Sequence, residues 1–518
     1  SWVHGYEVGL KWVLRHQLLT LWVAVATLVL TGGLYLLVPK GFFPSQDTGM
    51  IQVITEGPQS ASFGAMSRLQ TAAAERILDH PDVEAVTSFI GVDGNNPTLN
   101  TGRMQIALKP HAERSLTAHE IIQELQSSFS PQPDFQVYFQ PLQELTVDDR
   151  ISRATYQLAL SEPDPTLLNA WVPLWVEQLQ QLPQLSEVAT DLQMRGQQVI
   201  VDVDRDAAAR LGISKATIDD VLYDAFGQRL ISTIYTQSAQ YRVVLEVEPQ
   251  FRQAPENLNS VYLPTRSGQV VPLATVATLR QAPVELSIDR LDQFPSTQLS
   301  FNVAQGYSLS DAVEAIQQSA VDFEMPASAE LRFLGAAQAF EASLSSTLWL
   351  LLAAVLTMYI VLGMLYESYI HPITILSTLP SATIGALAAL LLTGRELDMV
   401  GVIGIILLIG IVKKNAIMMI DFALVAQRKD KLPADQAIYQ AALLRFRPIL
   451  MTTFAALFSA IPLMLATGAG AEMRQPLGLV MVGGLICSQL LTLFTTPVIY
   501  LFFDRWSERW QAYKQSRV

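Results

Sequence analysis

The chain has 518 residues, of which 50% are hydrophobic and 16% are charged, and its formal net charge is −13. This composition is too apolar for an ordinary soluble domain, in which about 25% of residues are charged, and it excludes a disordered, collagen-like or coiled-coil protein. The single cysteine, Cys487, excludes an intrachain disulfide and a cysteine-cluster metal site. The six histidines show no metal-ligand spacing.

Six stretches of about 20 apolar residues are long enough to cross a bilayer as helices. They cover residues 18–38, 344–366, 372–393, 400–420, 448–467 and 477–503. Basic residues collect before the first stretch, between the fourth and fifth, and after the sixth, so the positive-inside rule places these three segments in the cytoplasm. No cleavable signal pattern follows the first stretch, which we therefore predict to be a retained membrane helix.

The long segment 39–343 then lies on the other side of the membrane. It carries 19 basic and 37 acidic residues, a net charge of −18, whereas the rest of the chain has a net charge of +5. Nucleic-acid binding needs a basic surface, so this segment does not suit it. The acidic charge favours solubility first and cationic ligands second.

Strand and helix patterns alternate in this external segment. Strands are predicted at 50–55, 83–90, 103–108 and 134–140, with helices at 62–79 and 116–128, in the order βαββαβ. The pattern starts again with a strand at 154–160, a helix at 164–182 and a strand at 185–192. It is completed only by a strand at 297–303, a helix at 310–323 and a strand at 330–333.

Between these two parts lies an insertion, at about 204–290, with its own helices and an extended stretch at 235–247. We therefore predict a membrane α-helical bundle of six transmembrane helices plus an α+β external domain. That domain would contain two ferredoxin-like βαββαβ units, the second split by an inserted subdomain. The alternative is one irregular α+β domain.

The fourth apolar stretch contains Lys413, Lys414 and Asn415. A lysine near the bilayer centre costs about 3 kcal/mol on insertion scales and normally faces a partner or a water-filled cavity. The alternative is that both lysines reach toward the cytoplasmic end of the helix. A buried ammonium group requires a carboxylate, but the acidic residues of this chain fall at the ends of the apolar stretches. We therefore expect the partner to come from another polypeptide or from a further part of this one.

The fifth stretch begins RFRPILMTT at residues 445–453, with Arg445 at its cytoplasmic entrance and Thr452 about one turn inside. The threonine either bonds back to its own helix or passes a proton beside Lys414, and the sequence leaves both readings open.

With KKNAI at 413–417, this segment and the six-span layout, the chain resembles the carboxy-terminal half of an RND multidrug efflux transporter. Three further stretches carry the resemblance across the chain: AFGQRLISTIYTQSAQYRVVLE at 225–246, LYESYIHPITILSTLPSA at 365–382, and TTPVIYLFFDR at 495–505.

The resemblance implies a proton/drug antiporter, not an enzyme, in the Gram-negative bacterial inner membrane. The full chains of such pumps are two similar halves with twelve spans. The relay aspartates lie in the first half, which we expect to be the missing partner. Lys414 would be the relay lysine, and Asn415, Arg445 and Thr452 match nearby functional positions. Lys413 has no clear family role.

The resemblance also divides the chain into segments with expected roles. Residues 1–38 would be a cytoplasmic lead and the first transmembrane helix, 39–150 porter subdomain 1, 151–204 and 291–343 the two parts of porter subdomain 2, 205–290 a docking subdomain, and 344–518 five transmembrane helices with a cytoplasmic tail. The family's switch loop matches Phe89 and residues 91–98, which read GVDGNNPT without the phenylalanines of the best-known drug pumps. Substrate-binding residues by this match are Phe89, Val92, Asp93, Asn95 and Asn96.

The implied partners are the amino-terminal half, a homo- or hetero-trimer with a related RND subunit, a periplasmic adaptor, an outer-membrane channel, small-molecule drugs and membrane lipid. No cofactor is expected, because the sequence contains neither a Walker A motif nor a catalytic triad signature. Two alternatives remain open: a non-transporting assembly or partner-binding subunit, and RND export of metals or lipids. Methionines at 50, 66, 104, 194 and 325 are scattered without a paired pattern, which argues weakly against copper export.

Overall fold

The computed structural model describes residues 2–129, 134–148 and 150–515; the last three residues of the predicted cytoplasmic tail, 516–518, lie outside this range. Among the described residues, six helices are long and apolar enough to cross a membrane. A large region of mixed strands and helices lies between the first and second of them.

The chain begins with two helices, α1 (Trp2–Arg15) and α2 (Gln17–Leu37). The second is the first apolar helix. The first is amphipathic and packs its buried face, Tyr6, Leu10 and Val13, against the membrane helices. The sequence analysis treated this segment only as a cytoplasmic lead, because a 14-residue amphipathic helix gives no signal in a search for long apolar stretches.

The first sheet unit has the element order that the sequence predicts. Its helices begin at good N-caps: Ser62 accepts a hydrogen bond from Ala65 N (3.2 Å), and Thr117 and Glu120 form a capping box. The sheet order is β2-β3-β1-β4 with antiparallel neighbours. The elements are β1 (Met50–Glu56), α3 (Phe63–Leu78), β2 (Val83–Ile90), β3 (Thr101–Leu108), α4 (Ala118–Ser128) and β4 (Gln136–Pro141).

The second sheet repeats this order although its strands come from two distant segments. Strand β6 (Leu185–Thr190) lies beside β14 (Phe294–Val303), β14 beside β5 (Tyr156–Ser161), and β5 beside β15 (Glu330–Leu334). Its core is built around Trp175, whose indole Nε1 donates to Ser319 Oγ at 3.2 Å. The elements before the insertion are β5 (Tyr156–Ser161), α5 (Pro165–Gln180) and β6 (Leu185–Thr190).

The insertion is carried on an antiparallel ribbon of two strands, β7 and β12, and it has a small apolar core of its own. The predicted extended stretch at 235–247 contains the second strand of a hairpin, but the prediction missed the turn at 236–239. The chain turns back at Thr236, whose N–H donates to Ala239 O, so β8 and β9 form a hairpin. The elements are β7 (Gly196–Val203), α6 (Arg205–Arg210), α7 (Lys215–Phe226), β8 (Arg229–Tyr235), β9 (Gln240–Leu245), β10 (Tyr262–Pro264), β11 (Val270–Pro272) and β12 (Ala277–Val284).

The remaining elements complete the second sheet and form the membrane bundle. They are β13 (Asp289–Leu291), β14 (Phe294–Val303), α8 (Leu309–Asp322), β15 (Glu330–Leu334), α9 (Gly335–Tyr366), α10 (His371–Leu376), α11 (Leu379–Leu392), α12 (Met399–Lys429), α13 (Ala434–Met464) and α14 (Ala471–Gln515). The third apolar stretch is interrupted between α10 and α11, where Pro380 removes a backbone donor. Helices α12 and α14 extend beyond the predicted apolar stretches, which end at 420 and 503. Their last turns are polar and so do not count as apolar sequence.

Helix α14 is the centre of the bundle, with α11, α12 and α13 around it. The backbones of α14 and α11 approach each other closely. A side chain at Gly385 would lie 2.3 Å from the Gly483 carbonyl oxygen and 2.5 Å from Cys487 Cβ. Small residues at a membrane-helix interface allow such backbone contact.

Two joints connect the external region to the bundle. At the first, β15 passes directly into α9 through Gly335, which has a φ of +53°, and Ala336 N donates to Asp148 Oδ1 at 3.1 Å. At the second, the loop after α2 pairs with the loop before α12: Leu397 N donates to Pro39 O (2.8 Å) and Met399 N to Phe42 O (2.9 Å).

Candidate functional site

Helix α12 has one covered face and one open face. The covered face packs against α13 and α14. The open face follows helical spacing and is apolar apart from Lys414, Asp421 and, near the end of the helix, Arg428. Its exposed members include Ile403, Leu407, Gly410, Lys414, Asp421 and Val425. The lysine that the sequence predicts as the relay residue is therefore exposed on this face, whereas the end of the face near Asp421 borders Tyr366 of α9.

Neither Lys413 nor Lys414 forms an ion pair with a carboxylate in residues 2–129, 134–148 and 150–515. Lys413 is half-buried, whereas Lys414 is exposed. Asp421, on the same face, is seven residues further along, roughly 10 Å at 1.5 Å per residue. That separation is too long for a direct pair.

Asn415, the residue after the two lysines, lies on the covered face of α12. Asn415 is buried and its Nδ2 donates to Thr453 Oγ1 on α13 at 3.1 Å. The predicted Thr452 does not take part in this contact, because its hydroxyl donates to Ile449 O of its own helix at 3.1 Å. One residue is a rotation of about 100° on a helix, which turns Thr453, not Thr452, toward α12.

Arg445 lies apart from the lysines. Its guanidinium carbon is 5.1 Å from the centroid of the Phe422 ring on α12, a cation–π contact, and its Nε is buried with no partner among the described atoms. Phe422 is eight residues beyond Lys414, about 12 Å along the axis. The structure therefore brings Asn415 to α13 at one level of α12 and Arg445 at another.

A polar cleft of about 670 Å³ lies between the two sheet units. Of the predicted substrate residues, Asp93, Asn95 and Asn96 line it, whereas Phe89 and Val92 do not. Both of these apolar side chains are exposed, Phe89 to 50% and Val92 to 62%.

The loop at 93–96 is fixed by its own hydrogen bonds. Asp93 Oδ1 accepts from the backbone N–H groups of Asn95 and Asn96, both at 2.7 Å. These bonds lower the pKa of Asp93, and the Arg103 guanidinium, which bonds Asp93 Oδ2 at 2.6 Å, adds to that effect. The guanidinium carbon of Arg103 lies 5.6 Å from the centroid of the Phe89 ring, a cation–π contact. Phe89 therefore helps to position Arg103, which lines the cleft.

The opposite wall holds charged residues that the sequence analysis missed. Arg153 Nε bonds Glu56 Oε2 at 2.6 Å, and Gln193 Nε2 donates to Glu56 Oε1 at 3.1 Å. Asp191 accepts from Thr297 Oγ1 (2.6 Å) and Gln298 N (2.7 Å), yet burial raises its pKa above the ordinary range. Glu56 and Arg153 are 97 positions apart in the sequence, and Asp191 lies another 38 positions further on, so no local motif marks them.

The external methionines do not form a metal path. Met66 and Met104 are completely buried in the core of the first sheet unit. Among the residues that the structure describes, no group of three or more His, Cys, Asp or Glu side chains is placed to hold a metal ion.

Six apolar helices and a large external α+β region that arises between the first and second define a polytopic membrane protein with a cleft outside the bilayer. A family model for the AcrB/AcrD/AcrF family matches residues 1–504. The chain belongs to this family, whose members are RND efflux transporters of the inner membrane and not enzymes.

Among solved structures, the chain is similar to two crystal forms of a heavy metal efflux pump. One is 26% identical with a TM-score of 0.86, and the other is 27% identical with a TM-score of 0.85. Each match covers 97% of this chain and 52% of the other. The chain thus spans about half the length of the solved structures that it matches.

Proposed function

We propose that this chain is the second half of a proton-driven RND multidrug efflux subunit that exports amphiphilic drugs through a tripartite envelope complex. The observation that carries the proposal is Lys414, an ammonium group on an exposed, otherwise apolar face of a membrane helix. Residues 2–129, 134–148 and 150–515 supply no carboxylate to it.

An unpaired charge at this depth is unstable, so the open face of α12 requires an acidic partner. The amino-terminal half that the resemblance implies would supply it as the relay aspartates. When these are ionised, they attract Lys414; when one takes up a proton, the attraction falls and Lys414 changes position. Asn415 and Thr453 would transmit that shift from α12 to α13, because their hydrogen bond is buried between the two helices.

Both sheets have the same strand order, so we infer that the two sheet units are ferredoxin-like porter subdomains. Substrate would occupy the polar cleft between them. From the sequence stretches at 225–246, 365–382 and 495–505 we infer a likeness to multidrug resistance protein MdtB and its relatives. The polar lining of this cleft favours substrates with hydrogen-bonding groups over purely aromatic ones.

Metal export is the second candidate, because the two solved structures reported above are of a heavy metal efflux pump. The buried thioethers of Met66 and Met104 and the lack of clustered ligands in the described residues argue against it. A non-transporting partner-binding subunit is distinguished by the transport experiment below.

A trimer is supported by the hairpin of β8 and β9. Its two strands pair only with each other and expose Leu230, Ile231, Ile234, Tyr235 and Tyr241. A two-stranded hairpin is marginal in water unless another surface covers it. We infer that this hairpin inserts into a neighbouring, identical or related RND subunit, and that the insertion bearing it docks to the adaptor and outer-membrane channel.

The test is dye efflux from cells that produce this chain together with an amino-terminal half. Lys414→Ala should abolish proton-coupled efflux while trimers still form. The matched control is Lys413→Ala, which removes the same group one residue away and should retain most transport. Normal efflux by Lys414→Ala would refute the proposed role. No efflux by the unaltered pair, with assembly intact, would favour the non-transporting alternative, and metal-dependent survival without dye efflux would favour metal export.

A further inference from the structure

Polar side chains join the two sheet units, and each unit has an apolar core of its own. Gln126, on α4 of the first unit, donates from Nε2 to Glu187 Oε1 on β6 of the second unit. Gln193, just after β6, donates to Glu56 Oε1 of the first unit at 3.1 Å. Units with separate cores and polar contacts move relative to each other more readily than units that share a large apolar interface.

Glu187 has an unusual backbone conformation. Its φ is +51°, in the left-handed region that residues other than glycine rarely adopt. It lies at a β-bulge: Ser300 of β14 is paired with Ala189, but Asn302 is paired with Ser186, so two residues of β6 oppose one of β14. A bulge redirects a side chain, and a strained residue persists only where its surroundings hold it in place. The contacts of its side chain therefore help to hold Glu187 in this conformation.

The carboxylate of Glu187 bonds both sheet units at once. One oxygen accepts from Gln126 of the first unit, and the other accepts from Nδ2 of Asn302 on β14 at 2.5 Å. Asn302 is fixed in turn, because its Oδ1 accepts from Thr155 N at 2.8 Å. Burial raises the pKa of Glu187 above its ordinary value, although the two amide bonds lower it. Within residues 2–129, 134–148 and 150–515 no basic side chain forms an ion pair with Glu187, so this carboxylate depends on its amide donors.

Widening of the cleft would separate α4 from β6 and break the bond between Gln126 and Glu187. The bond to Asn302 would remain, because both residues belong to the second sheet. A partly buried carboxylate that loses a donor must take up water, so its loss costs more than that of a bond between neutral groups. The backbone strain at Glu187 acts in the opposite direction, because a released side chain lets the backbone relax. The contact therefore favours the narrow cleft but remains reversible.

We propose that Gln126, Glu187 and Asn302 form a latch that holds the two sheet units in the arrangement seen here, and that Gln126 leaves Glu187 when the cleft widens. The latch rests on the proposed function in one respect, that the cleft widens and narrows during transport. Glu187 is a positioning residue, because it lies outside the lining of the cleft and acts on the distance between the two walls.

The test measures the width of the cleft in the transporter assembled with a cysteine-free amino-terminal half in nanodiscs. Cys487 is replaced by serine, and nitroxide labels are attached at Val92→Cys and Ile288→Cys, two exposed positions beside cleft-lining residues of the two units. Double electron–electron resonance gives the distance distribution. Gln126→Leu should raise the ratio of the wide to the narrow population roughly ten-fold or more, as loss of a hydrogen bond to a charged acceptor predicts. Gln123→Leu, at an exposed glutamine one turn earlier on α4, should leave the ratio unchanged.

Glu187→Gln should also widen the cleft, because an amide cannot accept from both donors with both of its terminal atoms. Gln126→Lys should restore the narrow population, since an ammonium group also donates to the Glu187 carboxylate, but it should fail to do so when combined with Glu187→Gln. A merely structural role would not give this charge-dependent rescue. Hydrogen exchange of the amides in β1 and β5 should be unchanged in Gln126→Leu, because both units keep their cores.

Equal distance distributions in the unaltered protein, Gln126→Leu and Glu187→Gln would overturn the latch. A wide population in Gln126→Lys as large as that in Gln126→Leu would overturn it too. The distances are read without transport, so either result leaves the proposed role of Lys414 untouched, and loss of that role would not remove the contact between Gln126 and Glu187.

Discussion

The ion pair of Asp47 with Arg114 tests how the first sheet unit is held together. Both charges are buried, with side-chain exposures of 10% and 1%, and the guanidinium bonds both carboxylate oxygens at 2.6 and 2.8 Å. Asp47 also accepts from Ala118 N at the start of α4, so one carboxylate joins the entry to β1 with a helix of the same unit. Removing it leaves a buried guanidinium without its counter-charge.

Asp47→Asn keeps the shape but removes the charge, and breaking such a buried pair costs about 3–5 kcal/mol. Hydrogen exchange of the amides in β1, β3 and α4 should therefore become faster by about two to four orders of magnitude. The amides of β5 and β14 in the second sheet serve as the internal reference. Asp292→Asn, which removes an exposed partner of Arg332, should change local opening by less than about 1 kcal/mol.

The double variant Asp47→Asn with Arg114→Gln removes both charges and should be less destabilised than Asp47→Asn alone. If the two variants exchange equally fast, or if Asp47→Asn leaves β1 protected, the pair does not hold the unit together.

The stability of the unit at low pH depends on the pKa of Asp47. Burial raises it, but the bonds from Arg114, Ala118 and Gly49 outweigh burial and lower it. The stabilisation is thus present above the ordinary value of 3.8 and is lost only as the pH falls further, through the folded-state pKa.

Three further outcomes are expected. Burial and two neighbouring carboxylates raise the pKa of Glu396 to about 7, so ionisation of Glu396 lowers the stability of the fold as the pH rises from about 4.5 to 7. In Glu396→Gln the melting temperature should change less with pH over that interval. Gly385→Ala should separate α11 from α14 and lower the melting temperature of the detergent-solubilised protein, whereas Gly33→Ala, where a methyl group meets nothing within 4 Å, should not. Thr453→Val should destabilise the bundle by about 1–3 kcal/mol, because it leaves the Asn415 amide buried without its acceptor; unchanged unfolding in a denaturing-detergent titration would contradict this.

Much of the architecture was predictable because its signals are local. The apolar stretches are longer than any soluble core needs, and Ser62 and Thr117 mark helix starts by their capping chemistry. The repeat of the βαββαβ element order across a long insertion was visible in the sequence pattern. The hairpin of β8 and β9 was missed because its turn contains no glycine, asparagine or proline to punctuate the extended pattern.

The site was less predictable because it depends on rotation and distance. Whether Thr452 or Thr453 faces α12 is decided by one residue of helix phase, which sequence boundaries cannot fix. The cleft wall at Arg153, Asp191 and Gln193 forms only when two sheet units pack together. By contrast, the unpaired state of Lys414 was predictable, because the sequence places no acidic residue within the apolar stretches that could pair with it.

The continuous passage from β15 into α9 has a mechanical consequence. This helix has 32 residues, about 48 Å at 1.5 Å per residue, and it begins without a flexible linker at the edge of the second sheet. Very little of its membrane-spanning part is covered by other helices of the described chain. As a rigid rod joined to the sheet at Gly335, it would turn a tilt of about 5° at the sheet into a displacement of about 4 Å at its far end.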